Sequence, residues 1–215
     1  LFRIADNATA PGGKGISTGS IIIDGCDIST VNLKDLRSRM AIIPQDPVLF
    51  SGSIRDNLDP FWRNGHTPGG ALTEAENVAS VDARLWEVLK AVALADDVTA
   101  MPGQLSALVS ERGENLSQGQ RQLVCVGRAI LRKSRLLVLD EATASVDTET
   151  DRLIQRTIRS NFQKQTVLCI AHRLETIVDM DRIAVMSDGR VAEFDTPKRL
   201  LDDPGSLFCG MASNM

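Results

Sequence analysis

Blocks of apolar residues in the second half of the chain alternate with amphipathic stretches, and together they predict alternating strands and helices. Residues 136–139 are four successive apolar positions, which is typical of a strand covered on both faces. Residues 166–171 predict a second strand, and residues 148–162 between them predict a helix capped by Asp147 or Thr148. This alternation indicates an α/β core that contains a parallel sheet.

Shorter segments with the same character lie at both ends of the chain. Residues 21–23 run into an Asp-Gly turn and predict a strand, residues 33–39 predict a short helix, and residues 40–43 predict a strand that Pro44 ends. Residues 183–194, with a second Asp-Gly pair in their middle, predict a β-hairpin.

The middle of the chain has helical spacing instead. Apolar residues recur every three or four positions across residues 82–94, with Asp82 as the expected N-cap of that helix. We therefore predict two parts in one domain. Residues 1–50 and 134–215 form the α/β core, and residues 51–133 form a helical subdomain inserted into it.

Composition narrows the classes of partner. The 215 residues include 24 Lys and Arg against 28 Asp and Glu, giving a net charge of −4, and no basic stripe is present. A nucleic-acid partner is therefore not expected.

No apolar run approaches the roughly 20 residues that span a bilayer. The four cysteines are far apart, and two of them lie in apolar runs, so we predict buried thiols in a reducing compartment rather than disulfides or a metal site. The opening Leu-Phe-Arg-Ile resembles the end of a helix, so we interpret the chain as a fragment of a longer protein.

Two carboxylates follow the most apolar predicted strand. Asp140 and Glu141 come directly after residues 136–139, at the edge where open α/β sheets bind ligands. Asp140 suits a Mg²⁺ ligand, and Glu141 suits a group that polarises an attacking water. The alternative interpretation is an ordinary strand followed by an acidic helix cap.

A second candidate site lies at the start of a long helix. Ser117 is a good N-cap, Gly119 leaves room for a close neighbour, and the helix N-terminus suits a phosphate group. A routine capped helix is the alternative. Gln45 and His172 end two further predicted strands, so several polar groups are expected to converge on one sheet edge.

These motifs resemble those of the ATP-binding-cassette family. Residues 116–120 resemble its signature motif, residues 136–141 its Walker B strand, and residues 144–147 its D-loop. His172 resembles the switch histidine and Gln45 the glutamine of the Q-loop.

Residues 42–61 are more specific. They resemble the second nucleotide-binding domain of the C subfamily, the multidrug-resistance-associated exporters, and the resemblance covers nearly the whole chain.

The resemblance implies a P-loop NTPase-like fold, ATP and Mg²⁺ as cofactors, and two cassettes that close around two ATP molecules. Asp140 and Gln45 would serve the metal, and Glu141 and His172 would be catalytic, all at the cassette's own ATP. The nucleotide held by the partner cassette would be contacted by the signature and D-loop residues, namely Ser117, Gln118, Gly119, Gln120 and Asp147. Gln118 departs from the family, which usually has a small residue or valine there.

The parent protein would couple ATP hydrolysis to the export of organic anions, conjugates or drugs. Its partners would be a second nucleotide-binding domain and transmembrane domains. The cassette would lie on the cytosolic face of the plasma or vacuolar membrane.

One family motif is absent from the sequence. The phosphate loop, G-x-x-x-x-G-K-[ST], has no match, because Gly13-Lys14 is followed by Gly15 and the expected first glycine is Ala8. We therefore expect the N-terminal sheet and the phosphate loop to be missing, and negligible ATP binding by this chain.

Two other identities remain open. A chromosome-maintenance cassette shares the signature and Walker B motifs, but it would insert a long coiled coil, and the residues between Gln45 and Ser117 contain no heptads. A catalytically inactive, truncated fragment with no transport function of its own is the second alternative.

Overall fold

The computed structural model of the chain describes residues 20–60, 74–143, 146–171 and 173–213. Two single-turn 3₁₀ helices, Gln104–Ser106 and Glu111–Gly113, lie on either side of the strand Leu108–Val109. The remaining elements, in chain order, are β1 (Ile22–Ile23), β2 (Cys26–Asp27), α1 (Leu33–Ser38), β3 (Met40–Ile43), β4 (Gly52–Ser53), α2 (Ile54–Leu58), α3 (Glu74–Ala91), α4 (Ala95–Ala100), β5 (Leu108–Val109), α5 (Gln118–Arg132), β6 (Leu136–Asp140), α6 (Thr148–Asn161), β7 (Thr166–Ile170), α7 (Leu174–Ile177), β8 (Ile183–Ser187), β9 (Arg190–Asp195), α8 (Pro197–Asp202) and α9 (Leu207–Ser213).

The central sheet is parallel, as the sequence predicts. Strand β6 lies between β3 and β7, and all three run in the same direction. Leu139 of β6 is level with Ile43 on one side and with Cys169 on the other. The three strands therefore end at one edge of the sheet, within about one residue of each other.

The two faces of this sheet differ in how well they are covered. On one face Ile43, Leu137 and Leu139 are fully buried in the main core, which also contains residues of α5 and α6. On the other face Ile42 is 44% exposed and Leu168 is 45% exposed. The apolar side chains of β3 and β7 on this second face are thus only partly covered by the described residues.

Helix α3 corrects one prediction. The helix starts at Glu74 rather than at Asp82, so Asp82 is an interior residue and the prediction that it caps the helix is wrong. Its carboxylate instead accepts two hydrogen bonds from Arg55, Nε to Oδ1 and Nη2 to Oδ2, each 2.7 Å long. This pair fastens α2 to α3, while Leu85 and Leu89 bury the apolar side of α3.

The main core crosses the predicted boundary between the α/β part and the helical part. Its buried residues come from β3 and β6 and also from α2, α3 and α5. The region 51–133 also contains the small antiparallel pair β4–β5. The division of the domain into two parts stays a prediction.

The predicted hairpin is present, and so are the expected turns. Strands β8 and β9 pair around Asp188-Gly189, and β1 and β2 pair around Asp24-Gly25. All four turn residues have positive φ angles, between 49° and 77°, which is the backbone that Asp-Gly turns adopt most readily.

The four cysteines are free thiols, but the prediction that they are buried holds only for Cys125, since Cys169 and Cys209 are partly buried and Cys26 is exposed. Burial raises the pKa of the Cys125 thiol and of the Cys169 thiol above their ordinary values. Within the described ranges, no helix combines the length and the apolarity that crossing a membrane requires.

The difference between the two sheet faces can be tested with two matched substitutions. Leu137→Ala should lower the free energy of unfolding by about 2–5 kcal/mol, because it leaves a cavity in the packed core. Leu168→Ala, on the adjacent strand but on the half-exposed face, should cost about 1 kcal/mol or less. Urea denaturation followed by circular dichroism would measure both, and equal losses would contradict the assignment of the faces.

Candidate functional site

The carboxyl ends of the three parallel strands carry the predicted site residues. Asp140 is the last residue of β6 and Glu141 follows it, while Gln45 comes two residues after the end of β3. Gln45 is exposed, and Asp140 and Glu141 are both partly buried. The sequence-predicted convergence of these three residues on one sheet edge agrees with the strand order and register.

The backbone separates the two acidic side chains. Asp140 continues the alternation of β6, so it lies on the half-exposed face of the sheet with Val138. Glu141 has a φ of 47°, in the left-handed region, and its N–H donates to the Ile170 carbonyl at 3.0 Å. The chain therefore turns sharply between the two carboxylates while it stays hydrogen-bonded to β7.

The donor set at this edge fits a hard divalent cation. Asp140 offers a carboxylate and Gln45 an amide oxygen, both of which Mg²⁺ accepts. Among the residues with described positions, no group of three or more His, Cys, Asp or Glu could hold a metal. Mg²⁺ commonly takes one or two protein oxygens and completes its shell with phosphate and water.

Two parts of the predicted site lie outside the described residues. His172 is one, and the first two positions of the predicted D-loop, residues 144 and 145, are the other. Ala171 and Arg173 on either side of His172 are described, and they follow directly from the end of β7.

The start of α5 has the predicted cap. The Ser117 hydroxyl accepts from the Gln120 N–H at 3.1 Å, and the Gln120 side chain accepts from the Ser117 N–H at 2.9 Å. This capping box leaves Ser117 exposed at the positive end of a 15-residue helix. The Gln120 amide also donates to Asp97, and Gln118 accepts from Arg121.

Gly119 packs against the start of α6. A Cβ atom at this position would lie 2.9 Å from Cγ2 of Thr150 and 3.1 Å from its Oγ1. The close approach expected at Gly119 is thus made, within this chain, by a side chain. It brings the N-termini of α5 and α6 together.

Asp147 is the N-cap of α6, as one of the two predicted alternatives has it. Its carboxylate accepts from the hydroxyl of Thr150 at 2.6 Å and from the N–H groups of Thr150 and Glu149. The Thr150 hydroxyl, followed by these backbone N–H groups, lowers the pKa of the Asp147 carboxyl below its ordinary value. Asp147 is therefore an exposed, charged cap that binds Thr150, the residue against which Gly119 packs.

Behind the sheet edge, α6 is tied to the segment that contains His172. Arg173 donates to the buried carboxylate of Asp151 at 3.0 Å. A cavity of about 120 Å³ lies beside this ion pair, lined by residues that include Glu141, Ile158 and Cys169. Because Cys169 belongs to the face opposite Asp140, the cavity is on the α6 side of the sheet.

Sequence reasoning missed two residues that connect these parts. Gln122 is 1% exposed and donates to the Pro44 carbonyl, and Arg128 donates to the Val48 carbonyl. A polar residue on an otherwise apolar helix flank is the only signal that points to Gln122. For Arg128 the sequence offers no signal, because its acceptors are backbone carbonyls about 70 to 80 residues away.

The chain matches one family model, described as ABC transporter, over residues 7–144. It is 50% identical over 195 residues to the ABC transporter C family MRP4 of Zea mays, covering 91% of this chain. It is 48% identical over 208 residues to the ATP-binding cassette sub-family C member 2 of Rattus norvegicus, covering 97% of this chain. The chain spans about 12% of the length of each of these relatives.

A solved structure is similar to the described fold. It is titled the structure of a bacterial Atm1-family ABC exporter with ATP bound, and the match has a TM-score of 0.76 at 35% identity. The match covers 91% of this chain and 32% of that one. The predicted fold class, a P-loop NTPase-like α/β core with helices, is confirmed.

The contact between α5 and α6 leads to a stability prediction. Gly119→Ala should lower the free energy of unfolding by about 1–3 kcal/mol, because the new methyl group overlaps Thr150 and strains its bond to Asp147.

Gly210→Ala in α9 is the matched control, since nothing lies within 4 Å of its added Cβ. Helix propensity alone should make that change neutral or stabilising by up to about 1 kcal/mol. Urea denaturation of both variants decides the point. If Gly119→Ala were as well tolerated as Gly210→Ala, the packing described for Gly119 would be wrong.

Proposed function

The chain belongs to the ABC transporter family, and we propose that it acts as the nucleotide-binding domain of a C-type exporter. In this proposal ATP binding and hydrolysis drive the transport of organic anions, conjugates or drugs across a membrane. The chain would work on the cytosolic face of the plasma or vacuolar membrane, together with transmembrane domains and a second nucleotide-binding domain.

One observation carries the proposal. Asp140 and Glu141 end the central strand of a parallel sheet, and the neighbouring strand ends carry Gln45 and lead into His172. An oxygen-rich edge at the carboxyl ends of parallel strands is where open α/β sheets bind their ligands, so it supports an ATP·Mg²⁺ site.

Each residue at this edge has a proposed role. Asp140 and Gln45 would hold Mg²⁺, which neutralises phosphate charge when it is bound. Glu141 would orient and polarise the attacking water, and the turn that carries it is held by the hydrogen bond from its N–H to the Ile170 carbonyl. His172 would contact the γ-phosphate, a role that rests on the sequence alone.

The signature and D-loop residues would serve a different nucleotide. Ser117 is exposed at the N-terminus of α5, where backbone N–H groups and the helix dipole favour a phosphate. We propose that this end, residues 117–120 with Asp147 beside it, contacts ATP held by the partner cassette. Ser117 is exposed, whereas Gln118, Gly119 and Gln120 are partly buried, so Ser117 would make the main contact, with Gly119 beside it.

An apolar surface supports the proposed contact with transmembrane domains. Val48 is 64% exposed and Phe50 is 44% exposed, and both lie on the loop that carries Gln45. Large apolar side chains exposed together on a loop are typical of a protein contact. A membrane domain docked on Val48 and Phe50 would be well placed to sense changes at Gln45.

The sequence lacks the phosphate loop that ATP binding and hydrolysis in this family depend on. Backbone N–H groups and the lysine of such a loop bind the β- and γ-phosphates, and no G-x-x-x-x-G-K-[ST] is present in the sequence. We propose that the 215-residue chain alone is inactive as an ATPase, which is also the alternative function: a catalytically inactive fragment.

The 215-residue chain should therefore show no saturable binding of ATP·Mg²⁺ at concentrations up to about 1 mM, the upper end of the range in which KM values of enzymes commonly lie. Isothermal titration calorimetry would measure this, with a cassette that contains the phosphate loop as the positive control. Micromolar affinity in the chain alone would overturn the proposal and would point to another nucleotide site.

The partner-facing role predicts association that depends on ATP. A separately purified ABC cassette with a phosphate loop, its catalytic glutamate replaced by glutamine, should form a heterodimer with this chain when ATP·Mg²⁺ is present. Ser117→Arg should abolish the heterodimer, because a bulky cation replaces the exposed cap where the nucleotide would lie.

Ser187→Arg is the matched control for that experiment, since Ser187 is an exposed serine at the end of β8. Multi-angle light scattering with and without ATP measures the complex. Association that ignores ATP, or that survives Ser117→Arg, would exclude the proposed role of the signature residues.

A further inference from the structure

We infer that Gln122 and Arg128 are positioning residues that couple the Gln45 loop, defined here as residues 44–51, to helix α5. In this arrangement a displacement of α5 reaches the Gln45 loop through direct hydrogen bonds as well as through the strand β3 from which the loop emerges. The contacts of Gln122 and Arg128 with the loop, called tethers below, lie within the chain. The inference rests on the proposed function only in its statement that the coupling connects nucleotide contact at Ser117 with Gln45.

The first tether is at the start of the loop. Gln122 is buried at 1% exposure, and its Nε2 donates to the carbonyl of Pro44 at 3.0 Å. Pro44 is the first residue after β3, so α5 holds the loop at the point where it leaves the sheet. A buried amide gives up its bond to water on folding, and losing this protein partner would leave two polar groups unsatisfied.

The second tether is at the middle and far end of the loop. Nη1 of Arg128 donates to the Val48 carbonyl at 2.6 Å, and its guanidinium lies 4.8 Å from the centre of the Phe50 ring. The same guanidinium donates to the backbone carbonyl of Asn57 and, through Nη2, to its Oδ1 at 2.9 Å. Burial lowers the pKa of Arg128, in keeping with a cation that faces carbonyls and a ring.

Asn57 completes the second tether from α2. Its side chain is fully buried, accepts from the Phe50 N–H at 3.1 Å and donates to the Phe50 carbonyl at 2.9 Å. Phe50 is therefore held on both of its backbone polar groups by a residue that Arg128 itself holds. Between the two tethers, Gln45 and Asp46 are exposed.

Both tethers start from one rigid element. Gln122 and Arg128 are six residues apart on α5, about 9 Å along the helix axis. Because a helix moves as a unit, a shift of α5 would displace both ends of the Gln45 loop together. The same helix begins at Ser117, so contact of Ser117 with a nucleotide and the position of Gln45 would be coupled, and the coupling would be reciprocal.

The tether can be tested on the 215-residue chain by hydrogen–deuterium exchange with mass spectrometry. Arg128→Lys keeps the charge but loses the planar fork that reaches several acceptors. Peptides covering residues 46–51 should exchange at least about tenfold faster in Arg128→Lys than in the wild type. Arg132→Lys is the matched control one turn later, where an exposed arginine donates to the Arg37 carbonyl, and exchange in residues 46–51 should not change.

Gln122→Leu provides a second, uncharged variant of similar size, and it should accelerate exchange in the same loop. Wild-type exchange rates at residues 46–51 in both Arg128→Lys and Gln122→Leu would overturn the tether. If one variant fails to fold, the other still decides the question.

A second exchange experiment distinguishes coupling of the Gln45 loop to the partner contact from simple structural support of the loop. When the chain associates with the ATP-loaded partner cassette, residues 44–51 should gain protection in the wild type. In Arg128→Lys this gain should be lost while association persists. Equal gains in the two proteins would exclude coupling through Arg128. If no association occurs at all, the proposed function fails, whereas the first experiment still decides the tether.

Discussion

The parallel pairing of β6 with a strand on each side is the constraint on which the candidate site depends. Parallel strands end at a common edge, so the residues after β3, β6 and β7 are brought together although they are far apart in sequence. A slip of one residue in β6 would move Asp140 to the opposite face of the sheet. The packing of Leu137 and Leu139 opposes that slip, because it would remove both side chains from the main core.

Helix α5 is the second organising element. One of its flanks packs in the main core, its exposed N-terminus has Ser117 as cap, and its buried polar residues bind the loop after β3. The contact of Gly119 with Thr150 brings α6, and with it Asp147, to the same end of α5. The groups proposed for two different nucleotides are thus connected through one helix and not through the sheet alone.

Local signals in the sequence were enough to predict much of this arrangement. The strand before Asp140, the capped start of α5 and the cap at Asp147 are each encoded by a few adjacent residues, so they could be read directly. The family motifs then predicted the fold and the sheet edge. The assignment of a role to each site residue remains a prediction, and for His172 it rests on the motif alone.

The sequence predictions were wrong or incomplete where contacts between residues far apart in the chain determine the role of a side chain. Asp82 is of a residue type that commonly caps helices, but it lies inside α3, where its carboxylate pairs with Arg55 of α2. Arg128 and Gln122 act on backbone carbonyls about 70 to 80 residues away, and a carbonyl leaves no trace in the sequence. The burial of Asn57 is equally hidden in the sequence, since its partners include the backbone groups of Phe50 and the guanidinium of Arg128. Such interactions follow from tertiary packing and cannot be read from spacing.

The central proposal is that Ser117 of this chain contacts a nucleotide held by a partner cassette, at a site distinct from the sheet edge that carries Asp140 and Glu141. Cysteine cross-linking tests it most directly. Ser117→Cys, in a Cys26→Ser background that removes the exposed native thiol, would be combined with a partner cassette that has a cysteine in its phosphate loop. The account predicts a disulfide between the two chains that forms when ATP·Mg²⁺ is added and that a cysteine at Ser187 does not form. A Ser117→Cys chain that associates with the partner cassette in ATP but never forms that disulfide would contradict it.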